Sequence, residues 1–390
     1  MRVLVLTETV TGERRVAATP DSVARLTRAG FQVVVQAGAG AESGHADAEY
    51  VAAGAEVSPS PDPATGDVLL HVRPLAATLA GRLRPSTVTI GFCSPWTELD
   101  SVNALRDAGV TALAMELVPR ISRAQGMDAL TSQAMVAGYH AALVAAGSLP
   151  RFFPMSMTAA GTVPPARVLV LGAGVAGLQA IATAKRLGAR VSAYDVRAAS
   201  AEEIASVGGV FVDLGLPPLS AEGGYAREMT DDRAEQQAAA LAPHVARADA
   251  VVCCAFVPGR SAPRLVSTSM LRAMRAGSVV VDLAAESGGN VEGSRAGEQS
   301  EVSAATGGRV SLIGLANAAS ALPVDASRLY ASNLAAVLLA LAPDQAADDG
   351  QPALTVDFTD EVMAGCCITH DGEIRNASVA AVLATTGGAG

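Results

Sequence analysis

The stretch "RVLVLGAGVAGLQAIATAKRLGARVSAYDVR", Arg167 to Arg197, decides the fold. A run of valine and leucine leads straight into Gly172-Ala-Gly174-Val-Ala-Gly177. An alanine-rich amphipathic stretch follows, and a second apolar run ends on Asp195. The pattern reads strand, turn, helix, strand. Gly172 permits the tight turn, Gly174 lets the main chain approach a pyrophosphate, and Gly177 lets helix and strand pack closely. The helix N-terminus, beginning at Val175, offers its free amides to phosphate oxygens. Asp195 stands about twenty residues on, where a carboxylate accepts hydrogen bonds from the 2′- and 3′-hydroxyls of an adenosine ribose. A 2′-phosphate would meet that negative charge, so the pattern favours NAD over NADP. Arg197 is suited to a 2′-phosphate, but it can turn away, whereas the carboxylate at the strand end cannot avoid the ribose. Without its flanking strands, helix and acid, the glycine pattern would be only an incidental turn in an α/β sheet. Lys185, the only lysine in the chain, reads as a solvated residue of the helix after the turn.

The totals around this window set its scale. With 390 residues, 50% of them hydrophobic, the chain can bury large cores, and its length favours two domains. A net charge of −10 without a basic block argues against nucleic acid and anionic membrane as direct partners. The five cysteines include the adjacent pairs Cys253-Cys254 and Cys366-Cys367, which form no spaced framework for disulfides or zinc. They read as small buried apolar residues in a reducing compartment. The longest apolar runs, such as Leu334 to Pro343, fall short of the roughly 18–20 residues that span a bilayer, so no direct membrane insertion is expected. The opening "MRVLVLTETVTGERR" turns polar at once and carries no signal-peptide pattern, and a cytoplasmic location is expected.

Outside the glycine turn, β-branched runs alternate with Ala/Leu/Arg stretches throughout, the signature of βα units around a mostly parallel sheet. "RVLVLTE", "FQVVVQAG", "DVLLHV" and "VTALAMEL" read as strands of a first region. "TPDSVARLTRAG" reads as a helix with Thr19 as cap, Pro20 in the first turn and a terminal glycine; Thr97 to Gly109 reads as another. A Pro/Gly/Met-rich passage, Leu149 to Ala166, leads into the second region. The tail after Asn333 is too small to fold alone and should pack back on the N-terminal half. The expected fold class is therefore α/β: two Rossmann-like doubly wound parallel-sheet domains separated by a cleft. Residues 1–132 plus 334–390 would form the first and 133–333 the NAD-binding second.

One polar passage stands out in a chain that is only 17% charged: "RISRAQGMDALTSQAMVAGYH", Arg120 to His140. In doubly wound sheets, ligands sit beyond the carboxyl ends of the strands. A loop following "VTALAMEL" is placed to serve such a ligand, Gln125 with Arg120 and Asp128 suiting a carboxamide and a ribose. The alternative is a helix start with ordinary caps, Asp128 and Thr131 accepting backbone amides. The residues alone leave both readings open.

"RAQGMDALTSQAMVAGY", "RVLVLGAGVAGL", "YDVR" and "EGGYAREM" together resemble the NAD(H)-binding domain I of proton-translocating NAD(P) transhydrogenase, its alpha subunit, within the superfamily that includes alanine dehydrogenase. The resemblance runs from "ERRVAATP" to "DGEI". It implies that Arg120, Gln125, Gly126, Met127 and Asp128 hold the nicotinamide and its ribose, with Thr131 where a serine is usual. It further implies that Val175 touches the pyrophosphate, that Asp195, Val196 and Arg197 surround the adenosine ribose, and that Gly224 and Tyr225 lie on a mobile loop closing over the nucleotide. Gln237 and Phe256 would add contacts. Phe256, Arg260, Thr7 and Ala321 depart from the family pattern, where leucine, lysine, proline and arginine are usual. The implied activity is direct hydride transfer between NADH here and NADP+ on a partner, with Arg120, Gln125, Asp128, Thr131 and Tyr225 serving the transfer. The partner would be a transhydrogenase beta subunit or separate membrane and NADP-binding subunits, holding this chain at the inner membrane from the cytoplasmic side. A homodimer is also implied, and no metal.

Such a transfer moves no proton at the reacting carbons, so a missing acid/base pair is expected. A rival reading is an alanine dehydrogenase-like enzyme, which needs a cation and a general acid/base. Arg15 matches the substrate-binding arginine of those enzymes, and Arg73 stands at their lysine. No histidine lies between His71 and His140, where their catalytic one belongs. His71 and Arg73 share a face of "LLHVRP" and suit an acid together, or His71 is structural. A third reading is a non-enzymatic module that binds NADH and senses its ratio to NAD.

Overall fold

The computed structural model describes residues 1–219, 230–256, 259–342 and 354–386. They form two units: 1–133 with 320–390, and 134–319.

In the first unit, six parallel strands run β1 (Arg2–Val5), β2 (Gln32–Gln36), β3 (Glu56–Ser58), β4 (Val68–Leu70), β5 (Val88–Gly91) and β6 (Thr111–Ala114). Their order across the sheet is β3-β2-β1-β4-β5-β6, so the direction of winding reverses between β1 and β4. Such a reversal is where doubly wound sheets open a crevice at their carboxyl ends. The sequence reading contains neither β5 nor the three-residue β3, whose short runs lack a clear period. The first helix, Pro20–Arg28, starts and stops where expected, but its cap is reciprocal: the Thr19 amide donates to Ser22 Oγ at 3.0 Å. Strands this short are buried on both faces, as a parallel sheet covered by helices requires.

The second unit begins inside the helix Ala129–Ser148. The Pro/Gly/Met-rich passage is no bare linker; it contains a hairpin, β7 (Ser156–Thr158) with β8 (Gly161–Val163). The sheet follows with β9 (Arg167–Leu171), β10 (Arg190–Tyr194), β11 (Val210–Phe211), β12 (Ala250–Cys253), β13 (Val279–Asp282), β14 (Gln299–Ser303) and β15 (Arg309–Gly314). Its order is β11-β10-β9-β12-β13-β15-β14, parallel except for the edge strand β14. The reversal here lies between β9 and β12, beside the glycine turn.

The chain returns to the first unit at Ser320, earlier than the boundary at 333 read from the sequence. The reason is the helix Pro323–Leu341, whose Tyr330, Leu334, Val337, Leu338 and Leu341 are fully buried in the first core. Splitting that helix would expose its apolar face. Its 19 residues, with a mean hydropathy of 1.2, are also long and apolar enough by composition to cross a bilayer, where the sequence reading found no run of that reach. Here the apolarity serves core packing. The chain then adds β16 (Cys367–His370), antiparallel to β6, and β17 (Glu373–Ile374) at the sheet edge. All five cysteines are free and buried.

Candidate functional site

The glycine turn of the second unit is built as its residues demand. Gly172 has φ +91°, and a Cβ there would lie 2.7 Å from the Ala255 amide nitrogen. Only glycine meets both conditions. Ala255 is itself pinned by the fully buried Asn290, whose Oδ1 accepts from the Ala255 amide at 3.0 Å and whose Nδ2 donates to the Ala255 carbonyl at 2.8 Å. A Cβ on Gly177 would come within 1.9 Å of the Gly172 carbonyl oxygen, and one on Gly138 within 2.0 Å of the Ala176 carbonyl oxygen. The helix Val175–Arg186 is thus clamped at its start from two sides. Over Gly174, by contrast, a Cβ would meet nothing within 4 Å. Val175 is partly exposed beside it. A helix N-terminus with free amides, a snug turn and open space above one glycine fits a pyrophosphate.

Asp195 closes the other end. Its Oδ2 accepts from the Ala173 amide at 2.7 Å, tying the strand end to the glycine turn. Its Oδ1 accepts from the Arg197 amide at 2.9 Å and from Arg197 Nε at 3.1 Å. Arg197, which the sequence reading leaves able to turn away, is held beside Asp195. Its Nη2 also donates to the Ala173 carbonyl at 2.9 Å and to Glu203 Oε2 at 3.0 Å. Two carboxylates surround one guanidinium, leaving a net negative corner that opposes a 2′-phosphate. Val196 lies between them, half-buried against the apolar cluster that holds Tyr194 and Leu241. Gln237 is 2% exposed, and its Oε1 accepts from the Tyr194 hydroxyl at 2.9 Å, so its visible contact is structural. Phe256 is exposed just beyond β12. Gly224 and Tyr225 lie outside the described residues. The hollow lined by Leu149, Phe152, Phe153 and Leu187 contains none of the predicted site residues.

In the first unit, Arg120 is exposed just before a short 3-10 turn, Ser122–Met127. Gln125 and Gly126 are exposed within that turn, and Met127 is half-buried against the first core. Asp128 caps the helix Ala129–Ser148: its Oδ1 accepts from the Thr131 amide at 2.8 Å and its Oδ2 from the Thr131 hydroxyl at 2.6 Å. The capping alternative is thus realised, with Thr131 as donor through both its groups. Gln125, one turn earlier, keeps its carboxamide at the surface.

Nearby lies a buried polar cluster that the sequence only partly foreshadows. Arg15 Nε and Nη2 form a buried ion pair with Glu13, at 2.8 and 2.7 Å, and Nη1 donates to Gln133 Oε1 at 2.9 Å. His71 is 4% exposed. Its Nδ1 donates to the Arg73 carbonyl at 2.8 Å, and burial pushes its pKa down to about 4, leaving the ring neutral. Burial pushes Glu8 up to about 7 although it accepts from the Val72 and Arg73 amides. Glu116 also rises to about 7 through burial, against the Cys93 and Ser94 amides. The Tyr330 hydroxyl joins the group, donating to the His71 carbonyl at 2.9 Å.

Residues 4–137 match the model of the alanine dehydrogenase/PNT N-terminal domain, and residues 141–377 that of the C-terminal domain. The chain belongs to the alanine dehydrogenase/PNT family. Within it, the chain is 42% identical over 384 residues to an NAD(P) transhydrogenase subunit alpha chain of Rhodospirillum rubrum, covering 96% of this chain and 97% of that one. It is 38% identical over 301 residues to alanine dehydrogenase of Mycobacterium tuberculosis, covering 76% of this chain and 75% of that one. The transhydrogenase structure from Sinorhizobium meliloti superposes with a TM-score of 0.83 at 42% identity, covering 97% of this chain and all of that one. An L-alanine dehydrogenase structure gives 0.80 at 25% identity, covering 99% of each. The two-unit α/β fold is thus that of the alanine dehydrogenase/PNT family. Supporting residues that sequence reasoning missed are Asn290, Asn333 and Asp360. Asn333 had one signal, a lone amide in the apolar run "LYASNLAAVLLAL".

Proposed function

We propose that this chain is the NAD(H)-binding subunit of a transhydrogenase and passes hydride between NADH and NADP+ held by a partner subunit. The observation that carries the reading is the open space over Gly174, at the head of a helix whose turn is tied by hydrogen bond to Asp195. The high identity to a transhydrogenase alpha subunit over nearly the full length supports the partner requirement. A transhydrogenase beta subunit, or separate membrane and NADP-binding subunits, would anchor the chain at the cytoplasmic face of a membrane. A homodimer belongs to the same reading.

When bound, the nicotinamide supplies the hydride. The chain's residues have only to hold it, orient it and exclude water. Gly174 and the amides from Val175 onward take the pyrophosphate, Gly172 and Gly177 shape that turn, and Asp195 takes the adenosine ribose. Gln125 holds the nicotinamide carboxamide, with Arg120, Gly126, Met127 and Asp128 around the adjoining ribose. Thr131 fixes Asp128 in place. In this reading Val196 and Arg197 flank the adenosine ribose, and Gln237 and Phe256 back the adenine side. No proton moves at the reacting carbons.

Alanine dehydrogenase activity is the second reading, favoured by the full-length likeness to that fold. The state of Arg15 opposes it, because its Nε and Nη2 already pair with the Glu13 carboxylate and its Nη1 donates to Gln133, so its charge is matched inside the fold rather than by a substrate carboxylate. The deciding experiment measures reduction of an NAD analogue by NADPH, with and without a purified NADP-binding domain. Transfer only with the partner is expected. Robust oxidation of NADH by the isolated chain with pyruvate and ammonia would overturn the reading. NADH binding with no transfer beside the partner would make the chain a sensing module instead.

A further inference from the structure

The turn that carries Gln125 sets Ala124 and Met127 on the first core but leaves Gln125 and Gly126 exposed, so its polar side needs holding from elsewhere. Ser122–Met127 is a single 3-10 segment, and poor hydrogen-bond geometry makes such segments weak on their own. Its fixed points come from the far end of the chain. Asn333, 8% exposed on the helix Pro323–Leu341, donates Nδ2 to the Gly126 carbonyl at 2.8 Å. Its Oδ1 accepts from the Ser132 hydroxyl at 2.7 Å. One amide thus grips the main chain directly after Gln125 and the first turn of the helix after Asp128. Gln133 braces the same point, Nε2 donating to the Ser132 hydroxyl at 3.2 Å and to the Ala326 carbonyl at 3.0 Å. Behind it stands the Arg15–Glu13 pair. On the other side, Arg123 makes a two-pronged contact with Asp360, both distances 2.9 Å. Asp360 is not loose either, since its Oδ1 caps the helix Glu361–Cys366 through the Val362 and Met363 amides.

We infer that Asn333 and Asp360 are positioning residues for hydride transfer, two clamps that set the height and tilt of the segment bearing Gln125 and Asp128. The inference rests on the reading of those two side chains as nicotinamide contacts. A buried amide satisfied on both its faces is a stiff link, and a fork between guanidinium and carboxylate fixes angle as well as distance. Ring placement sensitive to about 1 Å can change a rate on the order of 100-fold. The pyrophosphate and adenosine contacts proposed for the second unit do not depend on either clamp, so affinity should be spared.

The test uses the full chain with its NADP-binding partner and three variants, Asn333→Ala, Asn333→Asp and Asp360→Asn. Asn333→Asp retains the acceptor for Ser132, loses the donor to Gly126 and sets a carboxylate against the Gly126 carbonyl in its place. Asp360→Asn retains the helix cap, which asparagine serves well, and loses the ion pair. Single-turnover transfer, NADH affinity by fluorescence and amide hydrogen exchange are read in parallel. Both Asn333 variants should slow transfer about tenfold or more, leave the NADH Kd within about twofold, and speed exchange at residues 125–129 about tenfold. Asp360→Asn should move the same readouts in the same direction by less. Unchanged exchange in the loop, or affinity lost in step with rate, overturns the inference. If the unsubstituted chain transfers no hydride beside its partner, the functional reading fails by that measurement alone. The exchange data then still decide whether the clamps exist. Should Asn333→Ala fail to fold, Asp360→Asn carries the same comparison.

Discussion

Arg197 and Asp195 face each other two residues apart at the end of β10, joined by a 2.9 Å bond from the arginine amide and a 3.1 Å bond from its Nε, both to Asp195 Oδ1. The charge of this arginine is matched by Asp195, with Glu203 adding a second negative charge. In the proposed function, this three-residue charge balance sets cofactor choice.

Asp195→Asn should unbalance it. With the carboxylate gone, Arg197 keeps Glu203 as its carboxylate partner beside the Ala173 carbonyl, and NADPH binding should strengthen relative to NADH by about tenfold, the removal of one like-charge contact. Titration of both dinucleotides by calorimetry checks this. Unchanged selectivity would refute the ribose assignment.

Gln125→Asn shortens a side chain that is exposed on a clamped turn, so the fold has no reason to suffer. Transfer should fall on the order of 10- to 100-fold through lost ring placement, with NADH affinity nearly retained. Parallel loss of rate and affinity counts against the role given to this carboxamide.

Two glycines of the same turn should respond in opposite ways. Gly174→Ala places a methyl where nothing stands within 4 Å, so the melting temperature should stay put while NADH binding is lost, because the methyl occupies the approach of the phosphates. Gly177→Ala drives a methyl to 1.9 Å from the Gly172 carbonyl oxygen and should destabilise the second unit by about 1–3 kcal/mol or more. Thermal melts with and without NADH separate the two. Retained NADH binding in Gly174→Ala would argue against a pyrophosphate there.

Stability should fall as pH rises toward neutrality. Glu8 and Glu116 each have a folded pKa of about 7 against an ordinary 4.5, so the folded chain binds more protons and their contribution, complete below about 4.5, is lost as pH rises through 7. His71 works the other way: its folded pKa of about 4 lies below its ordinary 6.5, and its contribution grows between those values. The histidine offsets one of the two carboxyls below pH 6.5, and the steepest loss therefore falls near pH 7. Glu116→Gln mimics the neutral acid. It should match the unsubstituted chain at pH 5 and exceed it by on the order of 2 kcal/mol at pH 8, by urea denaturation. A difference independent of pH would rule out the burial argument.

Much of the architecture was legible along the chain because it is written locally. The glycine turn and its acid lie within one βαβ unit, and the helix from Pro20 has its start and stop signals in adjacent residues. Period and punctuation suffice for such features, and the two α/β units follow from them. The first-unit strand Val88–Gly91 escaped because four buried residues offer no alternation to detect. The return of the chain at Ser320 escaped because an apolar helix does not say which core it enters.

By itself, then, the sequence determined the class of fold, the place of the glycine turn and the acid beside it, since each depends on residues a few positions apart. Only the tertiary structure decided which arginine is committed and which loop is held. Arg15 meets Gln133 across 118 residues, Gly126 meets Asn333 across 207, and Arg123 meets Asp360 across 237. Contacts at such separations leave no periodic trace in the chain, because they exist only once the sheet has brought its two ends together.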